Sequence, residues 1–137
     1  MNIDLNPDGP HSPERTAEVA AIFDACSRFL VYSTMGSAPG LDYPSEAYRL
    51  LGELYSATSR LPQLCGQLAE FLAAQLATGK LGDDSGRDPA VACEGASMHL
   101  RLAAERAAGL TASLQDVQRA ISGLHVKSGT EGSKDDG

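Results

Sequence analysis

The feature that most constrains the fold of this chain is a run of small and apolar residues near its C-terminal end. The run has alternating steps of three and four: Cys93, Ala96, Leu100, Ala103, Ala107, Leu110, Leu114, Val117, Ile121 and Leu124. This is the heptad spacing of a helix that packs along a neighbouring helix. A helix over residues 89–125 would be about 55 Å long. The spacing therefore predicts a long C-terminal helix that packs against a neighbouring helix over much of its length.

Two pairs of residues combine a helix-capping side chain with a following proline. Ser12 precedes Pro13, and Asp88 precedes Pro89. A Ser or Asp side chain accepts a hydrogen bond from an N–H at a helix start, and proline at the first helical position removes no donor that the helix uses. The pairs predict a first helix that starts at residue 12 or 13. They also predict that the long C-terminal helix starts at residue 88 or 89, and we expect it to continue to about His125.

Residues 43–78 carry a further helical pattern, which Pro62 interrupts. Proline removes one hydrogen bond of a helix and disfavours helical backbone at the residue before it. The region is therefore either one kinked helix or two closely joined helices, and we favour two. Asp42 or Ser45 is suited to cap the start of the first of them.

Strong helix formers dominate the chain, with Ala and Leu the commonest residues. We predict an all-α fold, an antiparallel bundle of three to four helices with a long C-terminal heptad helix. The expected organisation is a disordered segment over 1–11, one helical domain over 12–125 and a disordered polar tail over 126–137. Whether the heptad residues pack within one chain or between two copies stays open.

The balance of charges narrows the classes of partner. The 137 residues include 18 acidic and 11 basic side chains, which gives a net charge of −7. Binding to nucleic acids or to anionic membranes needs clustered Lys and Arg, so we expect neither. No apolar run is long enough to cross a membrane, and the N-terminal residues lack the pattern of a signal peptide. We expect a cytoplasmic protein whose three scattered cysteines stay reduced.

No residue pattern predicts a metal site or a catalytic centre. The loop from Asp83 to Asp88 holds three carboxylates, but it departs from a calcium-binding loop at two positions. Arg87 stands where a ligand is needed, and Asp88 stands where a glycine is needed. The three histidines are far apart and have no metal-ligand spacing. We therefore predict no metal, no cofactor and no enzymatic activity.

Several short segments give the chain a resemblance to known proteins. They are Leu61-Pro62-Gln63-Leu64, Gln67-Leu68, Gly79-Lys80-Leu81, Asp88-Pro89 and the Ala/Leu heptads that follow. Over residues 45–124 the chain resembles small actinobacterial all-helical proteins of unassigned function. The resemblance implies an all-α fold, but it implies no activity and no site residues.

Together these observations predict a small helical-bundle protein that acts through helix-mediated contacts, with a second copy of itself or with a partner protein. A homodimer is favoured because an uncovered apolar strip on a long helix usually finds a partner. The contact residues expected on the long helix are Leu100, Leu110, Leu114, Val117, Ile121 and Leu124.

Two other functions stay open at this point. The net charge of −7 is also consistent with an acidic regulator that inhibits a basic or nucleic-acid-handling protein. Alternatively, a helical bundle can hold a small ligand between its helices. The aromatic residues expected near such a pocket are Phe23, Tyr48, Tyr55 and Phe71.

Overall fold

The computed structural model describes residues 4–128, and within that range it consists of helices and connecting segments without a strand. The predicted all-α fold is confirmed. The predictions for residues 1–3 and 129–137 lie outside the described residues. The described chain divides into two compact units between Asp42 and Tyr43. The helices are α1 (Pro13–Ser33), α2 (Pro44–Thr58), α3 (Leu61–Ala77) and α4 (Pro89–Ile121).

The first unit contains α1 and a short segment before it. As the sequence predicts, Ser12 caps the helix: its hydroxyl accepts a hydrogen bond from the backbone N–H of Arg15 at 3.0 Å. The guanidinium of Arg15 donates to the carbonyl of Asp4, which connects the helix to the preceding segment. At the other end, the N–H and the hydroxyl of Thr34 both donate to the carbonyl of Leu30. The helix ends at Ser33, with Thr34 as its C-cap residue.

The second unit is built on α4, along which α2 and α3 both pack. Three contacts mark the register: Tyr48 with Gln118, Thr58 with Thr111, and Leu72 with Cys93. As the residue number rises along α2 and α3, the partner's number falls along α4. The two shorter helices therefore run antiparallel to α4, with α2 beside its C-terminal half and α3 beside its N-terminal half.

The break between α2 and α3 falls at Ser59 and Arg60, so the favoured prediction of two helices over 43–78 is confirmed. Pro62 occupies the first turn of α3. The N–H groups of a helix's first turn have no partner within the helix, so the N–H that proline lacks costs α3 no hydrogen bond. The Arg60 guanidinium donates to the carbonyl of Ser56 at 2.9 Å and satisfies one of the last carbonyls of α2.

The cap of α2 differs from the prediction. The N-cap residue is Tyr43, not Asp42 or Ser45. The backbone N–H of Tyr43 donates to the carboxylate of Glu46 at 3.0 Å, and the N–H of Glu46 donates to the carbonyl of Tyr43 at 3.0 Å. Glutamate at the third helical position can satisfy the cap residue's own N–H, and Pro44 fits directly after the cap.

The start of α4 agrees with the sequence, and its end does not. The carboxylate of Asp88 accepts a hydrogen bond from the N–H of Ala90 at 3.0 Å, as a capping aspartate does. The helix ends at Ile121, before the predicted limit near His125. Gly123 has a low helix propensity, and a turn with the N–H of Leu124 donating to the carbonyl of Ile121 takes the place of a further helical turn.

Candidate interaction face

The predicted heptad run of α4 divides into two rows in the structure. We call Cys93, Leu100, Ala107, Leu114 and Ile121 the inner row, and Ala96, Ala103, Leu110 and Val117 the outer row. Cys93 is buried and the rest of the inner row is half-buried. In the outer row Ala96 is half-buried, and the three residues after it are exposed. The inner row therefore lies against the neighbouring helices, while most of the outer row lies on the surface.

A more polar set of residues completes the contact of α4 with its neighbours. The hydroxyl of Thr111 donates to the hydroxyl of Thr58 at 2.8 Å, and the amide of Gln118 donates to the carbonyl of Tyr48 at 3.2 Å. Gly52 makes room for this amide, because a Cβ at that position would lie 2.8 Å from the Gln118 nitrogen. These contacts fix α2 beside α4, and a search for apolar spacing misses them.

Helix α3 shows the same division into a contact row and an exposed row. Cys65, Leu72 and the first and last leucines of the helix are half-buried towards α4. Leu64, Leu68 and Phe71 are exposed, although they are among the largest apolar residues of the helix. Each leaves about half of its surface open to solvent, more than the half-buried residues of the contact row. Their spacing of four and three places them on one side of α3.

The exposed rows of the two helices meet along one side of the α3–α4 pair. A groove of about 580 Å³ lies between them, with Leu72 and Leu100 at its base and with Leu68 and Phe71 on the α3 side. On the α4 side the groove is lined by Ala96, His99 and Ala103. We call this surface the apolar flank: Leu64, Leu68 and Phe71 of α3, the outer row of α4, and His99. None of the residues that line the groove carries a carboxylate, an ammonium or a guanidinium group.

The opposite side of the same helix pair has different chemistry. A groove of about 400 Å³ there is lined mostly by small and apolar residues, among them Ala69 and Leu100, but it also carries the charged side chains of Glu70 and Arg101. A charged lining of this kind keeps water close. The α3–α4 pair therefore has one apolar flank and one side whose groove includes two charged side chains, and we call this second side the polar flank.

The candidate metal-ligating groups of the described residues lie apart from one another. Within the described residues, no three His, Cys, Asp or Glu side chains come together in a way that could hold a metal ion. The thiols of Cys26, Cys65 and Cys93 are exposed, half-buried and buried, respectively. The ring of His11 contacts the carbonyl of Pro7 at 2.8 Å, and His125 lies beyond the end of α4.

In the acidic loop before α4, the carboxylate of Asp83 contacts other residues of the same loop. The Asp83 carboxylate accepts hydrogen bonds from the hydroxyl of Ser85 at 2.6 Å and from its backbone N–H at 2.8 Å. These two bonds stabilise the ionised form and lower the pKa of Asp83 below its ordinary value. The guanidinium of Arg87 lies 3.8 Å from the same carboxylate. These contacts describe a turn that leads into the Asp88 cap.

The predicted contact residues thus fall into three groups. Leu100, Leu114 and Ile121 lie in the inner row, where they face the neighbouring helices, and Leu110 and Val117 lie in the outer row. Leu124 lies beyond the end of α4 and is exposed. The prediction omits the α3 side of the apolar flank. The α3 side of the flank could have been inferred from the apolar residues of α3, which are too many to lie in a single contact row: Leu64, Cys65, Leu68, Phe71, Leu72 and Leu76.

Comparison of the chain with protein-family models, with curated proteins and with solved structures finds no match. Among the described residues, no helix combines the length and the apolar character that crossing a membrane requires.

Proposed function

We propose that this protein acts through helix-mediated contact with another protein chain, and that the apolar flank is the surface that makes the contact. The observation that carries the proposal is the exposure of a continuous row on α3, Leu64, Leu68 and Phe71, beside a row of small residues on α4. Single exposed apolar residues are ordinary on protein surfaces, but a contiguous apolar patch is typical of an interaction site.

The helix count supports the same proposal. The second unit has three helices, and Cys93 is its only buried residue within the part of the chain that the structure describes. A bundle buries the apolar side of every helix against others. Helices from another chain on the apolar flank would give the exposed apolar rows of α3 and α4 a packing partner.

The chemistry of the flank favours apolar contact over charge attraction. An acidic regulator would present carboxylates to a basic partner, and the groove between α3 and α4 is lined by apolar residues and His99. The carboxylate of Glu70 lies on the polar flank. We therefore expect binding through the apolar flank to change little between low and high salt.

Photo-crosslinking in cells that express the full chain tests this proposal. The photoreactive residue p-benzoylphenylalanine replaces Phe71 in one variant and Met98 in a control. The two side chains are equally exposed, at 57% each, and Met98 lies at a depression shared with Arg101 on the other side of α4. We expect a discrete protein adduct from position 71 and much less from position 98. Equal yields from the two positions, or no adduct from position 71, would contradict the proposal.

A further inference from the structure

We propose that the occupant of the apolar flank is a second copy of this chain, so that two α3–α4 pairs face each other as a four-helix arrangement. This inference rests on the proposed function, because it identifies the partner at the same surface. Two features of the flank support a second copy, its shape and its area, and the charge of the chain favours this surface over others for the contact.

The shape of the flank is complementary to itself. The α3 side carries the large side chains of Leu64, Leu68 and Phe71, and the α4 side opposite them carries Ala96 and Ala103. A two-fold axis between two copies would place the large row of each α3 over the small row of the other α4. Rows of side chains that fit between rows of a neighbour are the usual basis of helix packing, and a two-fold dimer uses the same surface on both copies.

The exposed area reaches the lower limit for a specific dimer. Five large side chains of the flank are about half exposed: Leu64 50%, Leu68 46%, Phe71 57%, Leu110 49% and Val117 46%. If each of these side chains had the roughly 200 Å² of an aromatic side chain, the five would present at most about 500 Å² per chain. Two copies would then bury at most about 1,000 Å² from these residues, which is the lower limit for a specific interface.

The charge of the chain favours contact at this surface over other surfaces of the molecule. Each copy carries a net charge of −7, so two copies repel each other at a distance. Contact through the apolar flank would bring together rows without carboxylates. Since salt screens the remaining repulsion, the dimer should hold or tighten as salt rises. Binding of an acidic chain to a basic protein would instead weaken.

Sedimentation equilibrium of the purified full chain provides the main test. We expect the wild type to have twice the mass of one 14.3 kDa chain. Phe71→Asp should raise the dissociation constant by about 100-fold or more, because it places an unpaired carboxylate in an apolar contact. Met98→Asp introduces the same charge at an equally exposed position and should leave the dimer intact. Ala103→Phe fills the small row without adding charge and should also dissociate it.

Both flank variants should keep the wild-type helix content by circular dichroism, because Phe71 and Ala103 are exposed in the single chain. A wild type that stays monomeric at 100 µM would overturn the inference, and so would a Met98→Asp protein that dissociates as far as Phe71→Asp. A dimer that weakens as salt rises would also overturn it.

Crosslinking of a mixed-isotope sample locates the contact. Equal amounts of unlabelled and ¹⁵N-labelled protein with p-benzoylphenylalanine at position 71 are mixed and irradiated. We expect adducts between a light and a heavy chain, with the attachment within residues 96–103 of the second copy. Adducts confined to single chains would mean that the same chain covers the flank, which would overturn the inference.

The two proposals fail in distinguishable ways. If position 71 crosslinks in cells to a different protein and the purified chain is monomeric, the second copy is wrong and the proposed function stands. If position 71 gives no protein adduct at all, the proposed function itself is wrong.

Discussion

The inner and outer rows of α4 are alike in sequence and differ in environment. Both repeat every seven residues, and each contains Leu, Ala and a β-branched residue. Leu114 of the inner row is half-buried against the neighbouring helices, whereas Val117 of the outer row, three residues later, is 46% exposed. A heptad run therefore shows where a helix can form contacts, but not which of its two rows packs against a given neighbour.

The residues that pack beside the inner row explain why the rows separate. They are Ser97, Ala104, Thr111 and Gln118, each four residues after an inner-row residue and so on the same side of the helix, and all four are half-buried. Along the outer row the first member, Ala96, is half-buried, and the members from Ala103 onward are exposed. In the half of α4 beside α2, Thr111 and Gln118 form hydrogen bonds of 2.8 Å and 3.2 Å to that helix.

The largest expected effect is on the free energy of unfolding, when a charge is placed in the inner row and the same charge is placed in the outer row for comparison. Leu114→Asp puts a carboxylate into the helix contact without a partner, and it should lower the free energy of unfolding by about 2–4 kcal/mol. Val117→Asp puts the same charge on the surface and should lower it by less than about 0.5 kcal/mol. Urea denaturation in a Phe71→Asp background measures both values with self-association weakened. Equal losses for the two variants would show that the rows do not differ.

A double-mutant cycle tests the polar contact that joins α2 to α4. Thr58→Val or Thr111→Val alone leaves one hydroxyl without its partner and should cost about 1 kcal/mol of unfolding free energy. The double variant should cost less than the sum of the single variants, with a coupling of about 1 kcal/mol. Thermal and urea denaturation provide the four stabilities. Strict additivity would mean that the 2.8 Å hydroxyl contact contributes nothing to the pairing.

The parts of the fold that depend on local chemistry could be predicted from the sequence. Ser12 and Asp88 cap helices as expected, because a cap needs only its own side chain and N–H groups two or three residues away. Tyr43 was missed, because there the Glu46 side chain bonds to the cap residue's backbone. The predicted end of α4 lies too far along the chain, because the heptad pattern continues to Leu124 whereas the helix ends at Ile121.

The candidate site was less predictable than the helices. The α4 side of the apolar flank can be inferred from the heptad run. The pairing of that side with Leu68 and Phe71 cannot, because it depends on which row of α3 faces α4. At the contact between α2 and α4, the residues that fix the pairing are polar: Thr58 of α2, and Thr111 and Gln118 of α4. Hydrophobic spacing gives no weight to such residues, so it could not rank the two rows.

Gly52 offers a finer test of how closely α2 approaches α4. Alanine favours a helix over glycine by about 0.8–1 kcal/mol, but its methyl group would displace the Gln118 amide from the Tyr48 carbonyl. We expect the two effects to cancel nearly, so that Gly52→Ala changes the unfolding free energy by only a few tenths of a kcal/mol. In a Gln118→Ala background the same substitution should stabilise by about 0.8 kcal/mol. A full gain in the wild-type background would contradict the close approach.

The smallest expected effect lies outside both rows, in the turn before α4. Hydrogen bonds from Ser85 lower the pKa of Asp83 in the folded chain, so this carboxylate stabilises the fold above its ordinary pKa of about 3.9. The contribution is lost as the pH falls through the lowered folded pKa. Asp83→Asn should remove this acid dependence, while Asp84→Asn, at the neighbouring loop residue, should keep it. Unfolding midpoints between pH 2.5 and 6 check the prediction. Because Asp83 lies outside α4, its replacement should leave the Leu114→Asp and Val117→Asp difference unchanged at pH 7.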